Sequence, residues 1–166
     1  MPDKETIERA KRDKRQGKAS STQAGEFIRE EFEHIREGKH GARSTKQAIA
    51  IGLSKARRAG VDLPPPKKGA VPEKTRRSAE NAYRVGHEDG HPTSPTRARA
   101  MKRALQREPK AAASHMALAK QARSAAARHT ASERSATARK AARTKGPAAR
   151  SAAARKAAHT RAAHRT

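Results

Sequence analysis

Residues 24–60 read AGEFIREEFEHIREGKHGARSTKQAIAIGLSKARRAG, the densest run of large apolar side chains in the chain. In its first half, apolar residues recur at intervals of four, four and three, the spacing of one helical face: Ala24, Ile28, Phe32 and Ile35, with Phe27 widening that face. In its second half, a matching stripe is formed by Ile49, Leu53 and Ala56. The pattern predicts two helices with facing apolar stripes.

Capping residues and glycines predict where these two helices begin and end. Residues 20–22 offer caps for a helix that ends at Gly38, and Ser44 with Gln47 makes a capping-box pattern for a helix that ends at Gly60. Because the loop between them is short, we expect an antiparallel hairpin over residues 20–60. Its first helix is expected to be acidic on the outer, solvated face, through Glu26, Glu30, Glu31, Glu33 and Glu37.

Outside this stretch, the chain has little with which to build a core. Of 166 residues, 33% are hydrophobic, but 37 are alanines, which leaves about 18 larger apolar residues. An ordinary globular domain is about half apolar. The absence of cysteine excludes disulfides, Cys-based zinc sites and thiol catalysis. The composition argues against a pocketed enzyme, and we expect no enzymatic activity, cofactor or metal ligand.

Charge is distributed unevenly along the chain, whose net charge is +24. Residues 1–90 carry 21 bases and 14 acids, whereas residues 91–166 carry 19 bases and only two acids. No apolar residue larger than alanine follows Leu118. We therefore predict five segments: a charged N-terminal helix (1–19), the hairpin (20–60), a Pro-rich linker (61–72), a short helix and loop (73–90) and a basic Ala/Arg-rich tail (91–166).

Proline, glycine and serine predict further helix ends in these flanking segments. Pro2 and Asp3 can start a helix that Gly17 stops, and Pro72 can start one that reaches about Val85. In the tail, helices are expected from 94 to about 108 and again after Pro109, with a break at 146–147. The predicted fold is all-α: a helical hairpin with a helical or disordered tail, and no substantial single core.

The tail repeats itself, since residues 134–144 match residues 150–160 at nine of eleven positions. Alanine and arginine favour helix, but like-charge repulsion opposes it until phosphates neutralise the charge. The following bases are predicted to contact nucleic-acid phosphates: Lys46, Lys55, Arg57, Arg58, Arg97, Arg99, Lys102, Arg103, Arg123, Arg128, Arg134, Arg139, Lys140, Arg143, Lys145, Arg150, Arg155, Lys156, Arg161 and Arg165.

Three motifs with metal-site spacing are interpreted as polar surface. Residues 87–91, HEDGH, match the letters of a zinc-protease motif, but flanking glycines and Pro92 weaken the helix that this chemistry needs. The pairs Glu31-x-x-His34 and Glu37-x-x-His40 have the spacing of di-iron bundles. Because they lie off the apolar stripe or beyond Gly38, we expect solvated charge there.

The stretch from Gly25 to Gly60 resembles a family of small basic bacterial proteins. That family has a domain of unknown function followed by a proline linker and a basic tail. The resemblance implies a bacterial cytosolic setting and supplies no catalytic residues. In composition, the tail also resembles those of linker histones and bacterial histone-like proteins.

These features favour sequence-independent binding of nucleic acid, most simply histone-like compaction of duplex DNA in the bacterial nucleoid. An RNA- or ribosome-associated protein is an alternative, since arginine also stacks on unpaired bases. An adaptor that recruits a protein through the acidic helix 22–38 is another. A hairpin of this size is at the lower limit for folding alone, so a homodimer through residues 20–60 is possible. No membrane partner is expected.

Overall fold

A computed structural model describes residues 2–88 and 94–163. Within these ranges the chain forms helices and no strand, which confirms the all-α prediction. The seven α-helices are α1 (Lys4–Arg15), α2 (Ser20–Arg36), α3 (Thr45–Arg58), α4 (Glu73–His87), α5 (Pro95–Gln106), α6 (His115–Ala126) and α7 (Ala131–Ala163). A short 3₁₀ helix (Lys110–Ala113) lies between α5 and α6.

Helix α3 starts and both hairpin helices end where the sequence predicts, but the caps predicted at residues 20–22 are wrong: α2 starts after Ala19, with no side-chain cap. The Ser44 hydroxyl accepts a hydrogen bond from the Gln47 backbone N–H at 3.2 Å, and the Gln47 side chain accepts one from the Arg43 backbone N–H at 2.7 Å. Gly38, just beyond α2, has φ +80°, and Gly60, just beyond α3, has φ +79°. Glycine adopts this left-handed conformation without steric cost, and so stops both helices where the sequence indicates.

The hairpin packs its two apolar stripes in antiparallel order. Near the loop, Phe32 and Ile35 lie with Ala48, and at the other end Phe27 lies with Ala56. Between these two clusters the helices approach so closely that a Cβ atom on Gly52 would lie 2.7 Å from the Ile28 Cα. The apolar core therefore consists of two small clusters, one on each side of the point where α2 and α3 cross at Gly52.

Helix α1 packs on α2 and is more than a charged extension. Thr6, Ala10 and Asp13 are buried, and the Arg9 guanidinium Nε lies 2.7 Å from Glu26 Oε2 of α2. On the other side of the hairpin, α4 packs on α3 through buried Ala79 and Ala82. The hairpin is thus covered on two sides by helices from its own chain.

Residues 105–113, assigned by the sequence to the tail, also dock on the hairpin. The Gly41 and Ala42 backbone N–H groups donate to the carbonyls of Leu105 and Pro109, at 2.8 and 3.0 Å. The Thr45 hydroxyl donates to the Ala112 carbonyl at 2.8 Å in a buried position. Ala112 and Ala113 join the Phe32–Ile35 cluster. Backbone hydrogen bonds and alanine methyl groups make this contact, so apolar patterning could not predict it.

By packing, the chain divides into two units, residues 1–121 and 122–166. The sequence places the start of the tail at residue 91, whereas the packing division falls about thirty residues later, within α6. In the second unit, α7 is interrupted at Gly146, which has non-helical backbone angles (φ 70°, ψ 168°) and is followed by Pro147. This confirms the predicted break. Within the described residues, no helix is long and apolar enough to cross a bilayer.

Candidate nucleic-acid interface

The second unit presents its bases to solvent. None of the residues of α7 is buried, and from residue 122 to 163 every Lys and Arg is exposed. The described unit has eleven such bases against a single acid, Glu133. Arg165, also predicted as a contact, lies outside the described residues. The exposed bases are Arg123, Arg128, Arg134, Arg139, Lys140, Arg143, Lys145, Arg150, Arg155, Lys156 and Arg161.

The bases of α7 are distributed around the whole circumference of that helix and do not form one stripe. With 3.6 residues per turn, Arg139 and Lys140 lie about 140° and 240° around the axis from Arg134. The second half of α7 repeats this arrangement with Arg150, Arg155 and Lys156. A helix that is cationic on all sides can meet phosphates from several directions, but presents no single reading face to base edges.

The one acid of this unit has a structural role. Glu133 Oε2 accepts hydrogen bonds from the Thr130 backbone N–H at 2.7 Å and from its hydroxyl at 3.1 Å, while the Thr130 hydroxyl accepts from the Glu133 N–H. This reciprocal capping box starts α7. The bond from the Thr130 backbone N–H is the main cause that lowers the pKa of Glu133. The carboxylate therefore serves the helix end and neutralises little of the tail.

The first unit places its predicted phosphate contacts in two different settings. Lys46 and Arg58 are exposed on α3, and Arg97, Arg99, Lys102 and Arg103 are exposed on α5. Lys55 and Arg57 point inward instead. The Arg57 guanidinium donates to the carbonyls of Leu63 and Pro64 at 3.0 and 3.2 Å, and burial lowers its pKa. Arg57 fixes the start of the proline linker against α3 and has little surface to offer a phosphate.

Lys55 forms ion pairs with two buried carboxylates of α2. Its ammonium lies 2.9 Å from Glu30 Oε1 and 2.8 Å from Glu31 Oε2. Burial by itself lowers the pKa of Lys55, but the two carboxylates outweigh burial and raise it. Burial likewise raises the pKa of Glu30, yet hydrogen bonds from Lys55 and the Asp3 N–H bring it below its ordinary value. Lys55 is a structural residue of the hairpin.

The expectation of a solvated acidic face on α2 is wrong for two of its five carboxylates. The side chains of Glu30 and Glu31 are 3% and 0% exposed. The other three are paired with bases: Glu26 with Arg9, Glu33 with Arg29 and Glu37 with Lys39. His34 and His40 are also largely buried, at 12% and 14%, so the two Glu-x-x-His motifs are not simply solvated charge. Helical periodicity missed this because the α1 N-terminus and Lys55 cover that side of α2.

The HEDGH motif lies only partly within the described residues. Helix α4 ends at His87, the first residue of the motif, and residues 89–91 lie outside the description. The His87 ring stacks on Tyr83 with centroids 4.1 Å apart, and its Nδ1 lies 2.8 Å from the Tyr83 carbonyl. A zinc-protease motif needs all five of its residues on one helix, but here the helix ends at His87 and residue 88 is not helical.

Residues 3–68 match the sequence model of a family of unknown function, DUF6496. The match covers α1, the hairpin and residues 61–68 of the proline linker, so an N-terminal domain of that kind is supported. It does not reach α4, α5 or the second unit. A search of curated proteins found no significant match to the chain. A search of solved structures found none either.

Proposed function

We propose that this protein binds duplex DNA without sequence preference, mainly through residues 122–166, and compacts or bridges it. One observation carries the proposal: the described part of the second unit has eleven exposed bases and a single acid. That acid, Glu133, caps the start of α7, and no residue of α7 is buried. Such a surface gains free energy chiefly from neutralising phosphates and releasing counterions.

The contrast with the first unit supports assigning binding to the second unit. In the first unit many bases already have acidic partners within the chain. Arg9 pairs with Glu26, Lys18 with Asp13 and Arg29 with Glu33, while Arg76 and Arg77 share Glu73. Bases paired in this way must give up an internal partner to meet a phosphate. The bases of the second unit have almost no acids to lose.

The placement of the aromatic residues favours duplexes over single strands. Phe27 and Phe32 are 1% and 8% exposed, and Tyr83 is stacked on His87 and donates its hydroxyl to Asp62 at 2.7 Å. Proteins that bind single strands stack bases on exposed aromatic rings. All three aromatic residues of this chain are already engaged, which leaves no such platform.

The first unit then serves as a compact carrier for the binding segment, with Lys46, Arg58 and the exposed face of α5 as secondary contacts. A homodimer is not needed to bury the hairpin, because α1, α4 and residues 110–113 cover it from within the chain. We place this function in the bacterial cytoplasm, on the nucleoid. It requires no catalytic residue.

A competition experiment across a salt series tests the choice of nucleic acid. Full-length protein is bound to a labelled DNA duplex, and unlabelled duplex DNA or hairpin RNA of equal length is added at about 50 to 200 mM salt, the range over which phosphate contacts weaken steeply. We expect duplex DNA to displace the label at least as well as RNA at every salt concentration. Displacement by RNA at tenfold lower concentration would instead assign the protein to RNA.

A further inference from the structure

The polar cluster around Glu31 has features that an internal ion pair alone does not explain. Both carboxylate oxygens of Glu31 are buried, and neither accepts a hydrogen bond of ordinary geometry from the described residues. The Lys55 ammonium lies 2.8 Å from Oε2 and forms an ion pair with it, so within the described residues Oε1 is the oxygen that has no lysine or arginine partner. A buried carboxylate usually accepts hydrogen bonds or binds a cation, because its desolvation is otherwise costly.

Two histidines lie close to this carboxylate. His34 is one helical turn beyond Glu31 on α2, and His40 lies in the loop to α3. One ligand atom from each of the three residues lies within 4.8 Å of the other two. His40 Nε2 is 3.5 Å from Glu31 Oε1. That separation is long for a hydrogen bond, but close to the edge of about 3.4 Å expected between ligands in a tetrahedral zinc site with bonds near 2.0–2.1 Å.

The outer nitrogens of both rings already face oxygen acceptors. His34 Nε2 is 3.1 Å from Asp3 Oδ2, and His40 Nδ1 is 3.1 Å from the Gly41 carbonyl oxygen. A proton on each of these nitrogens leaves a lone pair on the other ring nitrogen: His40 Nε2, beside Glu31, and His34 Nδ1, which is 4.0 Å from Glu30 Oε1. Histidines that bind metals are held in this way by a carboxylate or a carbonyl.

We propose that Glu31, His34 and His40 bind a divalent transition-metal ion of the zinc type. Two imidazoles and one carboxylate are a donor set that zinc accepts, with a fourth position for water. Glu31 would bind through Oε1, which leaves Oε2 beside Lys55. A surface pocket lined by Asp3, Glu30 and His34 gives the ion an approach from the His34 side.

The site would tie the loop after α2 to the helix itself. The residues directly after His40 are those whose backbone N–H groups hold Leu105 and Pro109. Metal binding at His40 would therefore stabilise the docking of residues 105–113, and so the attachment of α5 to the hairpin within the first unit. This role is independent of nucleic-acid binding by the second unit.

The test is titration of chelator-treated full-length protein with Zn²⁺ by calorimetry and with Co²⁺ by visible absorption. We expect one tight site per chain and the intense d–d bands of tetrahedral Co²⁺. His40→Ala should weaken this site at least about 100-fold, while Asp3→Asn, which alters an exposed carboxylate, should weaken it about 10- to 100-fold. The matched control is His115→Ala, an exposed histidine, which should leave binding unchanged.

Three results would overturn the site. The first is that the full-length protein has no stoichiometric tight site. The second is a weak Co²⁺ spectrum typical of octahedral coordination. The third is metal affinity that is unchanged in His40→Ala. Circular dichroism of each variant shows whether it is folded. Since the wild-type Co²⁺ spectrum needs no substitution, it decides the matter even if His40→Ala does not fold.

Discussion

A chain that ends at Gln121 is expected to bind duplex DNA at least about 100-fold more weakly than the full-length protein at 0.1 M salt. The truncation removes residues 122–166, which contain twelve Lys and Arg residues and one acid. Each phosphate contact contributes about −0.9 to the slope of log affinity against log salt on duplex DNA. If ten of these bases make contacts, the slope should flatten by about 9. Fluorescence anisotropy with a labelled duplex measures both quantities.

The truncated chain is a fair comparison because the first unit keeps its packing. Residues 105–113 and their hydrogen bonds to Gly41, Ala42 and Thr45 remain, as do all five apolar residues of the hairpin stripe that begins at Ala24. Its thermal unfolding should therefore resemble that of the full-length protein. Equal affinity of the two folded chains for DNA would remove the tail from the binding account.

Lys55→Met is expected to destabilise the first unit by roughly 3–5 kcal/mol, the usual cost of removing one partner from a buried ion pair. Methionine keeps the length of the side chain but leaves Glu30 and Glu31 without their shared ammonium group. Urea denaturation monitored by circular dichroism measures the loss. Lys14→Met on the exposed side of α1 is the matched control and should change the free energy of unfolding by less than about 0.5 kcal/mol.

The pH dependence of the wild type should report the same ion pairs. Because folding lowers the pKa of Glu30, its stabilising contribution is present above the unfolded value and is lost as pH falls through the folded one. Because folding raises the pKa of Lys55, its contribution is complete below the unfolded value and is lost as pH rises through the folded one. The Lys55→Met variant should lack this alkaline component. An identical alkaline profile in both proteins would show that Lys55 does not contribute in this way.

The sequence predicts the helices better than it predicts their neighbours. Apolar spacing and caps such as Ser44 place α2 and α3 to within two residues, because these signals are local. The docking of residues 110–113 leaves no such signal, since it depends on backbone groups and alanine methyls. The division between tail and carrier therefore falls later in the structure than composition indicates.

The candidate interface shows the same difference between local and tertiary information. In the second unit, exposure follows directly from composition, since no apolar residue larger than alanine is present to bury. On α3, Lys46 and Lys55 look alike in the sequence, but only Lys55 meets buried carboxylates. Those carboxylates are buried because α1 and Lys55 cover one side of α2, and helical periodicity alone carries no information about that cover.

We infer that the position of the positive charge, and not the net charge of +24, determines binding. Two full-length variants with equal net charge test it by the salt dependence of their affinity for duplex DNA. Each replaces six exposed bases by Gln. The tail variant changes Arg134, Arg139, Arg143, Arg150, Arg155 and Arg161, and the carrier variant changes Lys4, Arg12, Lys14, Arg15, Lys67 and Lys68.

The tail variant should flatten the log–log salt slope by about 5, and the carrier variant should change it by less than about 1. Equal flattening in both variants would contradict the account, because binding would then follow net charge alone.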